Sequence, residues 1–402
     1  MIYDYNKLKE MINRIYPHIL DIRRDLHMHP ELSEHEERTS ELIQAELDAL
    51  HVPYCSNIAG HGIYATITGK SNSYGIGIRA DMDALPIEEQ VNSAFKSVNP
   101  GVMHACGHDI HTSILLGTAQ ILSEIKDVLP ASVRLIFQPS EETIGGARQM
   151  IDEGCLENPP VPYTIGLHVE PYVECGKIEL IQGFMNAASC EFEVTVTGES
   201  CHGAHPDKGI DSLLPACNMV TSIQSIITRR LDPADTCLIT VGRFNSGTKN
   251  NIISGETTFS GIIRTLNLTN RSFIKAEIKK MCDSIAASYG ASCKITFADS
   301  YPSLENNNDM FNIIQKETEK VLGPENVITH SKPSLGADDF AYFCHTSKGL
   351  YYNIGSGRKD EEQVYPLHSE FFNPDEECIK TGILTEVISV LKLMEEKENE
   401  RI

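Results

Sequence analysis

The chain has 402 residues, 41% hydrophobic and 22% charged, which is globular composition with apolar material for more than one core. Acidic residues outnumber basic ones by 56 to 34, a formal net charge of −22, and that field excludes nucleic acid as an expected partner. No run of about 18 apolar residues is present, so no membrane span is expected. The twelve scattered cysteines form no CxxC pair, and the N-terminus reads as an amphipathic helix rather than a signal peptide, so a cytoplasmic protein with reduced thiols is expected.

Residues 4–28 carry Leu8, Met11, Ile12, Ile15, Ile19, Ile22 and Leu26 at helical spacing, predicting one long first helix ended by Pro30. Ser33 and Glu36 have the S-x-x-E spacing of a capping box for a second helix to about Leu50. Residues 62–68 and 74–78 read as a strand pair. They are followed by a helix over 110–125, a strand over 133–137, a helix over 146–153 and a strand over 163–167. This alternation predicts an α/β sheet with helices on its faces. The texture changes near Gly183, where 189–197 alternates with period two. The order β-α-β-β-α-β then runs to Phe297, with helices over 210–230 and 272–289 and strands over 237–244, 256–263 and 293–297. The first texture resumes near Tyr301 with a helix over 310–322, a strand over 350–354 and a helix over 376–397. The expected organisation is an α/β domain over 1–183 and 299–402, with a mixed sheet flanked by helices, split by an inserted α+β domain over 184–298.

The chain has no GxSxG elbow, no P-loop, no HExxH and no GxGxxG after a strand. Metal-capable residues instead follow the apolar runs: Asp81 and Asp83 after 75–78, Glu141 and Glu142 after 133–137, His168 after 163–167, and His368 a loop beyond 350–354. Ligand sites of open α/β sheets gather at the carboxyl ends of strands, so the recurrence is more informative than any one residue. Cys106 and His108, two apart before a helix, add a thiolate and an imidazole that can share a metal. A two-metal hydrolase needs a bridging anion, ligands on each ion and a base beside the water. Cys106 can be the bridge, Glu142 a ligand and Glu141 the acid/base. His27, His29 and His104 read as structural or as supporting a ligand rather than as ligands, and Asp109 as a carboxylate orienting a ligand imidazole.

These residues lie in blocks such as IRADMDALPIEE (78–89), MHACGHDIHTSILLG (103–117), FQPSEETIGGARQMI (137–151), GLHVEP (166–171), CHGAHP (201–206) and LHSEFF (367–372). In them the chain resembles the M20 metallopeptidase family, in its amidohydrolase branch of hippurate, auxin-conjugate and N-acetyl-diaminopimelate hydrolases. The resemblance implies two divalent ions per chain, of Mn, Zn, Ni or Co, held by Cys106, His108, Glu142, His168 and His368. It also implies Glu141 as catalytic acid/base and a ferredoxin-like inserted domain that serves as lid and makes a homodimer or homotetramer. His202 then reaches a neighbouring subunit's site to support the oxyanion, while Asn251 and Arg264 meet the substrate carboxylate. Asp83 is left as an orienting group, because Asp81-Met82-Asp83 stands where many relatives have H-x-D. Asp338 and Gly203 also depart from the commoner Glu and Ala. The expected activity is metal-dependent hydrolysis of N-acyl amino acids, small-molecule substrates with acetyl, benzoyl or similar acyl groups. A dipeptidase or aminoacylase of the same fold, or a catalytically silent binding protein, stays open as an alternative.

Overall fold

The computed structural model describes residues 4–359 and 363–399. The chain divides into two compact units, one of residues 1–185, 305–332 and 339–402, the other of residues 186–304 and 333–338. In chain order the elements begin with α1 (Tyr5–Met28), α2 (Glu37–Ala49), β1 (Tyr54–Ile58), β2 (Gly62–Ile67), β3 (Gly75–Asp81) and α3 (His108–Glu124). Next come β4 (Ser132–Gln138), α4 (Gly146–Asp152), β5 (Tyr163–Glu174), β6 (Ile178–Ile181) and β7 (Phe184–Asn186). The second unit holds β8 (Ala188–Thr197), α5 (Leu213–Arg230), β9 (Cys237–Ser246), β10 (Glu256–Thr265), α6 (Leu268–Ser288) and β11 (Ser292–Asp299). The chain ends with β12 (Leu304–Glu305), α7 (Asn308–Leu322), β13 (Val327–His330), α8 (Ala341–Thr346), β14 (Lys348–Gly357) and α9 (Cys378–Glu398).

The first unit is built on an eight-stranded sheet of order β1-β2-β4-β3-β5-β14-β6-β13. Its central strands β4, β3, β5 and β14 all run parallel, so their carboxyl ends open on one edge. Strands β3 and β4 are buried along their whole length, as expected when helices cover both faces. The apolar stripe of α1 is buried, with Asp4 capping its first turn by accepting from Asn6 N at 2.9 Å. The second unit is a four-stranded antiparallel sheet of order β11-β8-β10-β9 with two helices, the ferredoxin-like arrangement. Its core includes Phe192, Val194, Met219, Ile223, Phe259, Ile274 and Ile278. Among the described residues, no helix is long and apolar enough to cross a membrane.

Two expectations of local structure are overturned. Strands β2 and β3 do not pair: β4 lies between them, antiparallel to β2 and parallel to β3. Alternation within a strand does not carry the identity of its neighbour, which tertiary packing decides. The capping box does not form either. Glu36 occupies the N-cap position of α2 without a side-chain cap bond, and Glu31 instead accepts from Arg38 N at 3.0 Å and Thr39 N at 2.8 Å. Ser33 Oγ donates to Asp83 at 2.7 Å and Glu36 accepts from Ser140 N at 2.8 Å, so buried tertiary partners win over the local cap.

Candidate metal centre

The parallel register sets the site. Arg79 on β3 lies opposite Gly166 on β5, and Asp81 lies opposite Gln138 on β4, so the residues following these positions emerge along one edge. Helix α3 starts there with His108, entered through Gly107 at φ +85°. A Cβ at Gly107 would come within 2.5 Å of Val169 Cγ2, so both backbone and space demand glycine. Ser140 and His368 are held in the left-handed region at φ 59° and 63°, a cost carried where surrounding bonds fix the chain. Ser140 N is bound by Glu36, and His368 N donates to Ala105 O at 2.9 Å.

The structure brings Cys106, His108, Glu141, Glu142, His168 and His368 together. Cys106 Sγ is 3.4 Å from His168 Nε2, and His368 Nε2 is 3.2 Å from Glu142 Oε1. The ligand atoms of Cys106, His108 and His168 lie within 4.8 Å of one another, as do those of Cys106, Glu142 and His368 and those of His108, Glu141 and Glu142. Cys106 therefore belongs to two donor groups at once, and His108 shares a group with His168. Asp83 stands behind them: its Oδ1 is 3.2 Å from His108 Nδ1, and its Oδ2 accepts from Glu142 N at 3.0 Å. His168 Nδ1 donates to the carbonyl of Val169 at 2.8 Å, which leaves Nε2 as the lone-pair nitrogen of a neutral ring.

Among the described residues, buried His108 Nε2 makes no hydrogen bond, and buried Glu142 Oε1 has only the 3.2 Å ion-pair contact with His368. A buried polar atom left without a hydrogen bond is costly, and His108 Nε2 is a potential metal ligand 3.9 Å from the Glu142 oxygen. The electrostatics agree. Burial opposes a charge on His108, yet the carboxylates of Asp81, Asp83 and Glu142 outweigh it and raise its pKa to about 10. Burial, followed by Glu142, Glu141 and Asp81, pushes the Cys106 thiol well above its usual value. An anionic, desolvated pocket lined by thiol, imidazole and carboxylate fits a bound divalent cation.

Asp109 differs from expectation. It orients no ligand imidazole but binds His27 Nδ1 at 2.7 Å and Arg23 Nε at 3.1 Å, inside the unit. Sequence reasoning passed over the buried residues that back the site: Arg79, His111 and Asp339, with Asp81 in their midst. His111 follows His108 by three residues on α3, which is the same-face spacing that could have flagged it.

His202, Asn251 and Arg264 stand on the second unit. His202 bridges Ile252, and Gly203 N donates to Asn251 O at 2.7 Å, so His202 and Asn251 are neighbours. A Cβ at position 203 would meet that Asn251 oxygen at 3.0 Å, a physical reason for glycine where alanine is commoner. His202 Nδ1 accepts from Ala204 N at 3.1 Å. Arg264 lies on β10 with its Nη1 buried and without a hydrogen-bond partner among the described residues.

The thiol, imidazoles and carboxylates gathered on the first unit suit a metal-dependent amide hydrolase. Residues 77–389 match the family described as Peptidase family M20/M25/M40, and the chain belongs to that family. It is 35% identical over 390 residues to thermostable carboxypeptidase 1 of Saccharolobus solfataricus, covering 96% of this chain and 98% of that one. It is 32% identical over 366 residues to an N-acetylcysteine deacetylase of Bacillus subtilis, covering 90% and 93%. A dinuclear metal binding peptidase of the M20 family from B. subtilis superposes with a TM-score of 0.82 at 29% identity, covering 95% of this chain and 99% of that one. The family and the clustered donors together support two divalent ions.

Proposed function

We propose that the chain hydrolyses the amide bond of small N-acyl amino acids, releasing a carboxylic acid and a free amino acid. The observation that carries this reading is the convergence of Cys106, His108, Glu142, His168 and His368, with the buried Glu141 alongside. Two divalent ions held by the five ligands, of the Mn, Zn, Ni or Co class, would supply the Lewis acidity that polarises the amide and activates water. Glu141 takes the proton of the attacking water and returns it to the leaving nitrogen. Asp83 fixes His108 and the backbone of Glu142, so the donor set is organised before substrate arrives.

The second unit would supply recognition. Arg264, whose buried Nη1 has no hydrogen-bond partner among the described residues, suits the substrate carboxylate, and Asn251, next to His202, is a second candidate for it. His202 supports the developing oxyanion of a neighbouring subunit in a homodimer paired through this unit. A relative named N-acetylcysteine deacetylase favours acyl amino acids, and one named carboxypeptidase favours a peptide-cleaving second reading.

Metal content by elemental analysis, combined with amine release from N-acetyl and N-benzoyl amino acids and from dipeptides, tests the proposal. Close to two ions per chain and chelator-sensitive release from the acyl amino acids is the expected result. Preference for dipeptides supports the second reading, and metal without turnover of any amide overturns both. Light scattering checks the dimer.

A further inference from the structure

His111 packs against His108 and His168, which on the reading proposed above hold an ion with Cys106. His111 lies with Asp81 and His108 in a group whose potential ligand atoms are within 4.8 Å of one another, which by itself suggests one more ligand. Its hydrogen bonds say otherwise. Nε2 accepts from the backbone N–H of Val169 at 2.9 Å, and Nδ1 donates to Asp81 Oδ1 at 2.6 Å. Both ring nitrogens are committed, in one tautomer, and no lone pair is left for a cation.

Asp81 is committed too. Its Oδ2 accepts from Arg79 Nη1 at 2.6 Å, and Arg79 Nη2 donates to Asp339 Oδ1 at 2.8 Å. Asp339 Oδ2 accepts from Ala147 N at 2.9 Å. Asp339, Arg79, Asp81 and His111 are all fully buried, and they form one continuous chain of bonds ending on Val169. Val169 needs that partner because the β3–β5 pairing ends at Arg79 and Gly166, short of its N–H. On its other side the carbonyl of Val169 accepts from His168 Nδ1 at 2.8 Å. The rings of His111 and His168 also meet edge-on, with centroids 4.7 Å apart.

We propose that His111 is a positioning residue: it carries no ion, but by gripping Val169 it fixes the tautomer and orientation that point His168 Nε2 at Cys106. Asp81 and Arg79 hold His111 in turn, which gives the carboxylate at position 81 a supporting role rather than a place on the ion. Second partners of this kind typically change metal affinity roughly ten- to a hundredfold.

The test is a cobalt(II) titration of the full chain, followed by the thiolate-to-cobalt absorption band and by competition with a chelator. Wild type takes up two equivalents. His111→Phe weakens one of the two by roughly ten- to a hundredfold and alters the band. His111→Gln keeps a donor for Asp81 and an acceptor for Val169 N–H, and restores most of the affinity. Should the Phe variant fail to fold, Asp81→Asn supplies the second arm, with a smaller loss of affinity for the same ion. A Gln variant as weak as the Phe variant would make His111 a ligand and overturn the proposal. Wild-type titrations in every variant would also overturn it. A wild-type chain that takes up no cobalt would instead sink the metal-centre reading beneath it, so the two failures are told apart.

Discussion

The two units bury their strands differently. Strands β3 and β4 of the first unit are buried at every position, whereas β11 of the second alternates between exposed and half-buried residues, and β8 alternates over most of its length. A charged side chain on β11 turns to water at little cost. One on β3 or β4 has no water and must find protein partners or an ion. Arg79 finds Asp81 and Asp339; Arg134 finds the carbonyls of Cys155, Glu157 and Asn158. The signal in the sequence is the same for both arginines, a charge in an apolar run, but only Arg79 leads to the metal centre. A polar residue in a doubly covered strand thus announces a network, and geometry decides whether the network does chemistry.

The contrast can be broken from either side. The largest effect is expected at Glu141: Glu141→Gln should lower kcat by roughly two to four orders of magnitude while the metal content stays as in wild type, as for loss of a positioned acid/base. Elemental analysis beside steady-state rates checks it, and a near-normal rate would remove Glu141 from its role. Next is Arg79→Leu, which leaves Asp81 and Asp339 buried without their cation. A loss of about 3–5 kcal/mol in urea unfolding is expected. A probe confined to the second unit should move much less.

Glu386 offers a pH test within the first unit. It is fully buried on α9, accepts from Thr118 Oγ1 at 2.7 Å, and burial raises its pKa from the ordinary 4.5 to about 8. A carboxyl raised in the folded state stays protonated there while the unfolded chain ionises. Its penalty is therefore absent below about pH 4.5, grows as pH rises towards 8, and is complete above that. Glu386→Gln should raise the unfolding midpoint relative to wild type at pH 9 and lose that advantage near pH 4. The smallest effect belongs to the second unit's surface: the pair Lys279–Asp283 on α6 is exposed, and Lys279→Ala should leave the melting temperature unchanged.

The same contrast explains what could be read from the sequence. Asp83, Glu141, Glu142 and His168 were legible because each follows an apolar run, and parallel strands put such positions on one edge. The βαββαβ order of the second unit was legible because its alternation is local. Non-local choices were not. Strands β1, β6 and β13, of four or five residues, are too short to carry a pattern. Ser33 and Glu36 have a local motif's spacing and spend their oxygens on Asp83 and Ser140 instead. Asp109 looked like a partner for a ligand because of its place in the block, but faces His27 and Arg23. His111 went unread because its role rests on two tertiary bonds, to Asp81 and to the backbone of Val169, that no local pattern carries.

The position of β14 has a consequence in time. It lies between β5 and β6 in the sheet, yet it is made after the whole second unit. A chain leaving the ribosome can close the contiguous β8–β11 core before residue 348 exists, because domains fold as they become complete. The first unit must meanwhile leave a strand's width open beside β5, with two edges exposed, until its last quarter arrives. His368 comes with that last segment, so the donor set cannot be complete until it has been made.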